Sequence, residues 1–403
     1  MNLVGREASN SSSTRRLRVG LVAYGIDRPF SGIGRYAIQL SDALQRCQHD
    51  MEFVLLSPIG QSSAPFNRQL LNRPLKSARK LPLMMTAGPL EVGLQARALR
   101  LDVVHDLAGG SFFYLPRQIA PFVRVVTIHD AIPYVYPETH ARLTNLLFHQ
   151  YIPRTLRFVD RIITDSECSK RDIERFFRTG DGMVTTIACG VDQRFRPQPQ
   201  DRIDEVLGRY GVEPPYLLIV GALQARKNVE TALEAFARLK ATGMPHRLVV
   251  VGKQVWKTEG IFRRLTDLGL EHVTQFTGYV DDEDLPAIYA GAACFLFPSL
   301  YEGFGLPPLE AMACGTPVVV SNASSLPEVV GDAGLLVPPR DVDGFADAIR
   351  RVIEEPALAM CLRARGLERA RMFTWERAAA AHAAIYRQAA AELGRAPATT
   401  AHR

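Results

Sequence analysis

No run of about 18 apolar residues occurs in the 403-residue chain, so the sequence predicts no membrane-spanning helix. The opening stretch MNLVGREASNSSSTRRLRV lacks an apolar core of signal-peptide length. Its Ser/Asn/Thr cluster reads as a disordered leader over residues 1–15. The six cysteines are scattered with no C-x-x-C pair, which argues against a disulfide framework or a zinc site and fits a reducing cytoplasm. A Walker A loop is missing too. Lys227 in VGALQARKN has no glycine before it and Asn228, not Ser or Thr, after it.

What is present reads as a globular α/β protein. Apolar content of 47% and charged content of 22% are ordinary, and the length suits two or three domains. Residues 1–200 hold 26 Lys+Arg against 17 Asp+Glu, and the remainder holds 22 against 25, so the N-terminal half is basic. The densest part, FNRQLLNRPLKSARKLPLMM (66–85), mixes five cations with Leu and Met and has no acid. Two readings stay open for it: contact with an anionic membrane surface, or a solvated basic helix.

Short apolar runs alternate with helical patterns. Strands are predicted at 17–23, 53–57, 102–106, 123–130 and 161–166. Between the first two, GRYAIQLSDALQR places apolar residues 37, 38, 40, 43 and 44 on one helix face. The polar, proline-punctuated stretch 192–215 reads as a linker and short helix. The rhythm restarts with strands at 216–221, 247–252, 273–278, 294–299, 316–321 and 334–339. The fold class is therefore α/β. Two doubly wound, Rossmann-like domains face each other, with a hinge near 192–200 and ligands bound in the cleft beyond the strands' carboxyl ends. The domain expectation is 16–195, then 196–372, then a helix over 373–393 and a disordered tail over 394–403.

The loops carry the chemistry. Arg226 and Lys227 precede a helix that starts near Asn228, an expected N-cap. Cations beside a helix N-terminus make an anion site. In YEGFGLPPLEAMACG (301–315), Gly303 and Gly305 let the backbone approach a ligand, and Pro308 suits a helix start. Glu310 then falls in the first turn and Glu302 on the loop. The assembly suits a ligand with phosphate and polyol parts, although Glu310 could also simply complement the helix dipole. Gly32, Gly34 and Ala37 fit G-x-G-x-x-A. No acid closes the second strand, which weighs against a dinucleotide site; the loop's amides could instead close over a phosphate. The acids of VDDEDL (280–285) read as caps of the helix after them, not as a metal site.

Together these pieces resemble the retaining glycosyltransferases of family 4, which have the GT-B fold. The resemblance runs from about residue 17 to 392 and is most specific in E-x7-E, Glu302 to Glu310. SGIGRY, TIHD, DSECSKRDI, CGVDQRFRP and VGALQARKN support it.

The resemblance implies a nucleotide diphosphate sugar donor. Glu310 would hold the ribose hydroxyls, and Glu302 the sugar hydroxyls. Gly303, Phe304 and Gly305 would position the sugar through backbone amides. Arg226 and Lys227 would bind the diphosphate, with Gly32 and Gly34 approaching from the other domain. His129 would face the sugar, and Asp130 beside it joins the substrate-binding set. Many relatives carry an Arg at the position of Ala222, so the Arg226–Lys227 pair has to serve here.

The expected partners are this donor and a glycan or lipid-linked acceptor, with no nucleic acid, metal or cofactor. GDP-mannose or a related GDP-sugar is the expected donor, with UDP-glucose open. The C-terminal helix would cross back onto the N-terminal domain. The rivals are a GT-B-like epimerase or phosphorylase, and a nucleotide-sugar-binding protein without turnover. The expected location is cytoplasmic, with peripheral contact at the inner face of the membrane left open with the reading of 66–85.

Overall fold

The computed structural model describes residues 15–23, 32–57, 71–76, 87–109, 121–139, 142–254 and 258–395. Most of the expected leader and tail, and 66–70 and 77–85 of the basic segment, lie outside the described residues.

The first sheet is built from β1 (Leu17–Val22), β2 (Met51–Ser57), β3 (Leu71–Pro74), β4 (Val103–Asp106), β5 (Val123–Thr127), β6 (Arg161–Thr164) and β7 (Val184–Thr186). Its order is β3-β2-β1-β4-β5-β6-β7, all parallel. The second is built from β8 (Tyr216–Val220), β9 (Arg247–Val251), β10 (Thr274–Gly278), β11 (Cys294–Phe297), β12 (Val318–Ser321) and β13 (Leu335–Val337). Its order is β10-β9-β8-β11-β12-β13, again parallel. In each, the order reverses beside the first strand, which creates a crevice at the strand ends.

The apolar strands are buried on both faces, as crossover helices demand. Helix Gly32–Cys47 buries Ala37, Leu40, Ala43 and Leu44. One apolar cluster runs from Val19 and Leu40 through Ala379 of the last helix to Phe295 and Leu309, so it joins the two sheets. Separate clusters cover their outer faces, around Val54 and Val104 in one and Phe236 and Phe345 in the other.

Helix Trp375–Arg395 packs on the first sheet through polar contacts as well. His382 Nε2 lies 2.9 Å from Tyr36 Oη, and Tyr386 Oη lies 2.6 Å from His105 Nδ1. Burial lowers both imidazoles, His382 to about 4, so these pairs join neutral rings.

Several local expectations are corrected. The described part of the basic segment is not helical. Leu71–Pro74 is an edge strand beside β2, where Asn72 accepts a bond from Ser57 Oγ at 3.0 Å. Strand β7 was not predicted. Within the 123–130 run the strand ends at Thr127 and the last bond to β6 is from Ile128 N to Ile163 O, which releases His129 and Asp130 into a loop. Arg15, placed in the leader, instead bonds Asp102 at 3.1 Å.

Candidate active site

Strands β8 and β11 lie side by side, so the loops leaving their carboxyl ends meet. The first carries Arg226 and Lys227; the second carries Glu302 to Gly305. Glu302 Oε1 accepts from Lys227 Nζ at 2.7 Å and from Arg226 Nη1 at 2.8 Å. The Ser299 hydroxyl donates to the same oxygen. Glu302 and Arg226 are buried, 8% and 9% exposed, and Lys227 is half-buried beside them. Burial pushes the Glu302 carboxyl up, but Arg226 and Lys227 outweigh it and pull it down to about 2. Burial lowers Lys227, partly offset by Glu302. Lys227 Nζ also sits 4.7 Å from the Phe297 ring.

Asn228 does not cap the helix Val229–Ala241 with its side chain. It is left-handed (φ 54°), which asparagine tolerates. Its Nδ2 donates to Pro298 O at 2.9 Å and Pro339 O at 2.5 Å. The amide therefore ties together three loops at the strand ends, with a 3₁₀ turn over Ala225–Lys227 before it.

The helix after the second loop runs Leu306–Ala313 and starts before Pro308. Glu310 is thus its fifth residue, beyond the first turn, and 4% exposed. A dipole partner would sit exposed at the helix start, so Glu310 has another role. Its Oε2 accepts from Tyr289 Oη at 2.9 Å and its Oε1 from Arg35 Nη1 at 3.1 Å. Burial raises its pKa, and Arg35 opposes that. Arg35 comes from the other domain, and its Nη2 reaches Asp282 Oδ1 at 2.5 Å. The sequence reading missed Arg35, although it follows Gly34 directly.

The acids of VDDEDL do not cap their helix either. Asp284 accepts from Arg202 at 2.6 Å and Arg209 at 2.7 Å, because the helix Gln200–Tyr210 lies beside it.

Gly303 meets the N-terminal domain directly. A Cβ there would lie 2.7 Å from His129 O and 3.0 Å from the Asp130 Cβ, so only glycine allows this approach. Gly305 has φ +123°, with Leu326 2.9 Å from where a Cβ would stand. Phe304 is buried, and its carbonyl accepts from Ser325 Oγ at 2.5 Å.

His129 Nδ1 lies 2.7 Å from Asp165 Oδ2 and its Nε2 lies 3.0 Å from Leu107 O. Burial lowers this imidazole, but Asp165 outweighs it and raises the net pKa; both ring nitrogens face acceptor oxygens. Asp130 accepts from the Ile132 amide at 3.0 Å, and burial raises its pKa against the Arg226 charge across the cleft.

The structure therefore gathers Arg226, Lys227, Glu302, Gly303, His129 and Asp130 around one cleft, with Glu310 beside it. Gly32 opens its helix exposed, with open space where a Cβ would stand, and Gly34 is buried in the first turn. Their segment reaches Glu310 through Arg35.

Two sequence profiles match in tandem: Glycosyltransferase Family 4 over residues 30–195 and Glycosyl transferases group 1 over 202–369. The chain is 35% identical to O-antigen chain mannosyltransferase B of Escherichia coli over 87% of this chain and 94% of that one. Its fold matches sucrose-phosphate synthase from Thermosynechococcus elongatus with a TM-score of 0.74 at 22% identity, covering 94% of this chain and all of that one. It also matches Anabaena HepE, solved with UDP and glucose, with a TM-score of 0.72 at 18% identity, covering 93% of this chain and all of that one. The chain belongs to the family 4, group 1 glycosyltransferases and has their GT-B fold.

Proposed function

We propose that this glycosyltransferase moves a hexose, with retention and without a metal, from a nucleotide diphosphate sugar to a glycan or lipid-linked acceptor in bacterial polysaccharide assembly. Mannose from GDP-mannose is the favoured donor group, on the strength of the E. coli mannosyltransferase relative. The observation that carries the reading is the ion-paired trio of Glu302, Arg226 and Lys227 at the strand ends. Breaking a sugar–phosphate bond builds negative charge on the leaving diphosphate and positive charge at the anomeric carbon. Preorganised cations meet the first, and a carboxylate close by meets the second. The acceptor oxygen attacks from the face that the phosphate leaves. The leaving phosphate oxygen takes the acceptor's proton, and no protein nucleophile is needed.

A thermal-shift panel of GDP, UDP, ADP and their common sugars tests the donor. A ligand that binds only the folded chain raises its stability by RT ln(1 + [L]/Kd). One nucleotide series should stabilise the wild type, and Glu310→Ala should abolish the gain. If no nucleotide shifts the melt, the reading falls. UDP-sugars are the second reading, and the same panel decides.

Two finer points have their own tests. Asp282 and Asp284 are engaged by arginines, which supports metal independence. Transfer should persist in EDTA; loss in EDTA with recovery on Mn²⁺ overturns this. The edge strand β3 exposes Leu71 beside Arg73, and the adjacent helix Gly88–Ala98 exposes Leu90 and Leu94. Segment 66–85 against anionic lipid at the inner face of the membrane suits that surface. The protein should pellet with anionic liposomes at low salt, and failure to do so removes the membrane contact.

A further inference from the structure

The helix Glu167–Phe177 of the N-terminal domain begins at the cleft, where two of its first amides are bonded to a residue of the other domain. Glu167 N donates to Glu328 Oε2 at 2.8 Å and Cys168 N to Glu328 Oε1 at 2.7 Å. Glu328 thus fills, from the C-terminal domain, a position that a first-turn acid usually fills from within its own helix. Its own short helix, Leu326–Val330, is held by Arg369, which donates to Glu328 O at 2.6 Å and Val329 O at 3.0 Å.

The same helix start grips the donor loop. Ser166 Oγ donates to Gly303 O at 2.6 Å. Ser169 Oγ lies 3.0 Å from His129 O and 3.1 Å from Gly303 O, midway between the two carbonyls that meet across the cleft. On the other side, Ser325 Oγ reaches Glu302 O at 3.0 Å and the Phe304 carbonyl. The 302–305 loop is therefore clamped from both domains, and Ser325 directly precedes the helix that carries Glu328.

We propose that Glu328 is a positioning residue for the transfer reaction. Through the two helix amides it sets the register of the domains, so that Ser166 and Ser169 hold Gly303 O and fix the aim of the 303–305 amides against His129. Glu328 acts through the loop, and the inference rests on the donor reading of that loop.

The geometry separates binding from turnover. Lys227 and Glu310 belong to the C-terminal domain alone, so nucleotide affinity survives a loss of register. A misplacement of about 1 Å between reacting groups costs up to about 100-fold in rate.

Glu328→Ala should therefore cut turnover of GDP-mannose, followed as GDP release, by about 10- to 100-fold. UDP-glucose with UDP release is the second arm. The nucleotide Kd measured by calorimetry should change less than about threefold, because the altered group lies outside the C-terminal nucleotide contacts. Ser166→Ala combined with Glu328→Ala should be no worse than about twofold below the poorer single variant, since both act through Gly303.

Glu328→Gln keeps the shape and one acceptor oxygen. It should fall between wild type and Glu328→Ala, and it serves if the alanine variant does not fold. Turnover by Glu328→Ala within twofold of wild type overturns the inference, as does a parallel loss of turnover and nucleotide affinity. A wild type that neither binds nor turns over any of these nucleotides instead sinks the donor reading and this inference with it.

Discussion

Lys227→Ala is expected to lower glycosyl transfer by about 100- to 1000-fold, the usual effect of removing one preorganised donor to developing charge. The half-buried ammonium is fixed by Glu302 at 2.7 Å and lies 4.7 Å from the Phe297 ring, so its charge is held in one place. The fold should survive, because Glu302 keeps its 2.8 Å bond to Arg226. Lys227→Arg should not restore the rate. A planar guanidinium fork does not reproduce the compact ammonium charge that Lys227 places against Glu302 at 2.7 Å. Steady-state turnover beside a thermal melt checks this. Turnover within fivefold of wild type would remove Lys227 from the reaction.

The parts of this site that were legible in the sequence share one property: each is local. Apolar runs such as YLLIVG and CFLFPS are continuous because both faces are buried, and their periodicity announces a parallel sheet. Glu302 and Glu310 stand out because glycines and prolines fix the backbone between them. What the sequence hid is pairing at long range. Arg35 reaches Glu310 across 275 positions, and Glu328 reaches Cys168 across 160. No spacing rule covers such pairs.

The missed strands fail for a different reason. β7 has three residues, and β3 reads Leu-Asn-Arg-Pro, polar and ending in proline, as an edge strand can afford to be. The caps failed because tertiary partners outbid local ones. Asn228 and Asp284 are typical capping residues, yet each turns its side chain to a neighbouring loop or helix that offers a better partner. The one available signal was Arg35 itself, a cation directly after the two glycines.

Glu302→Gln is expected to cost about 3 kcal/mol of stability at pH 7, because removing one charge of a buried set leaves its partners uncompensated. The same magnitude follows from titration. A carboxyl lowered from 4.5 to about 2 contributes roughly 3 kcal/mol. Its folded pKa lies below the unfolded one, so the contribution is full above about pH 4.5 and is lost as pH falls through about 2. The difference in unfolding free energy between wild type and Glu302→Gln should therefore shrink steadily over that window. A constant difference would mean that Glu302 does not carry the charge.

The same variant separates two jobs of the trio. Glu302 pairs with the two cations that a diphosphate would need, so the neutral amide leaves Arg226 and Lys227 freer to hold GDP. GDP should bind at least as tightly to Glu302→Gln as to wild type, while transfer falls by more than about 100-fold because the carboxylate facing the developing positive charge is gone. Weaker GDP binding together with lost transfer would instead mean that Glu302 shapes the phosphate site, and that the sugar is held by the 303–305 amides without it.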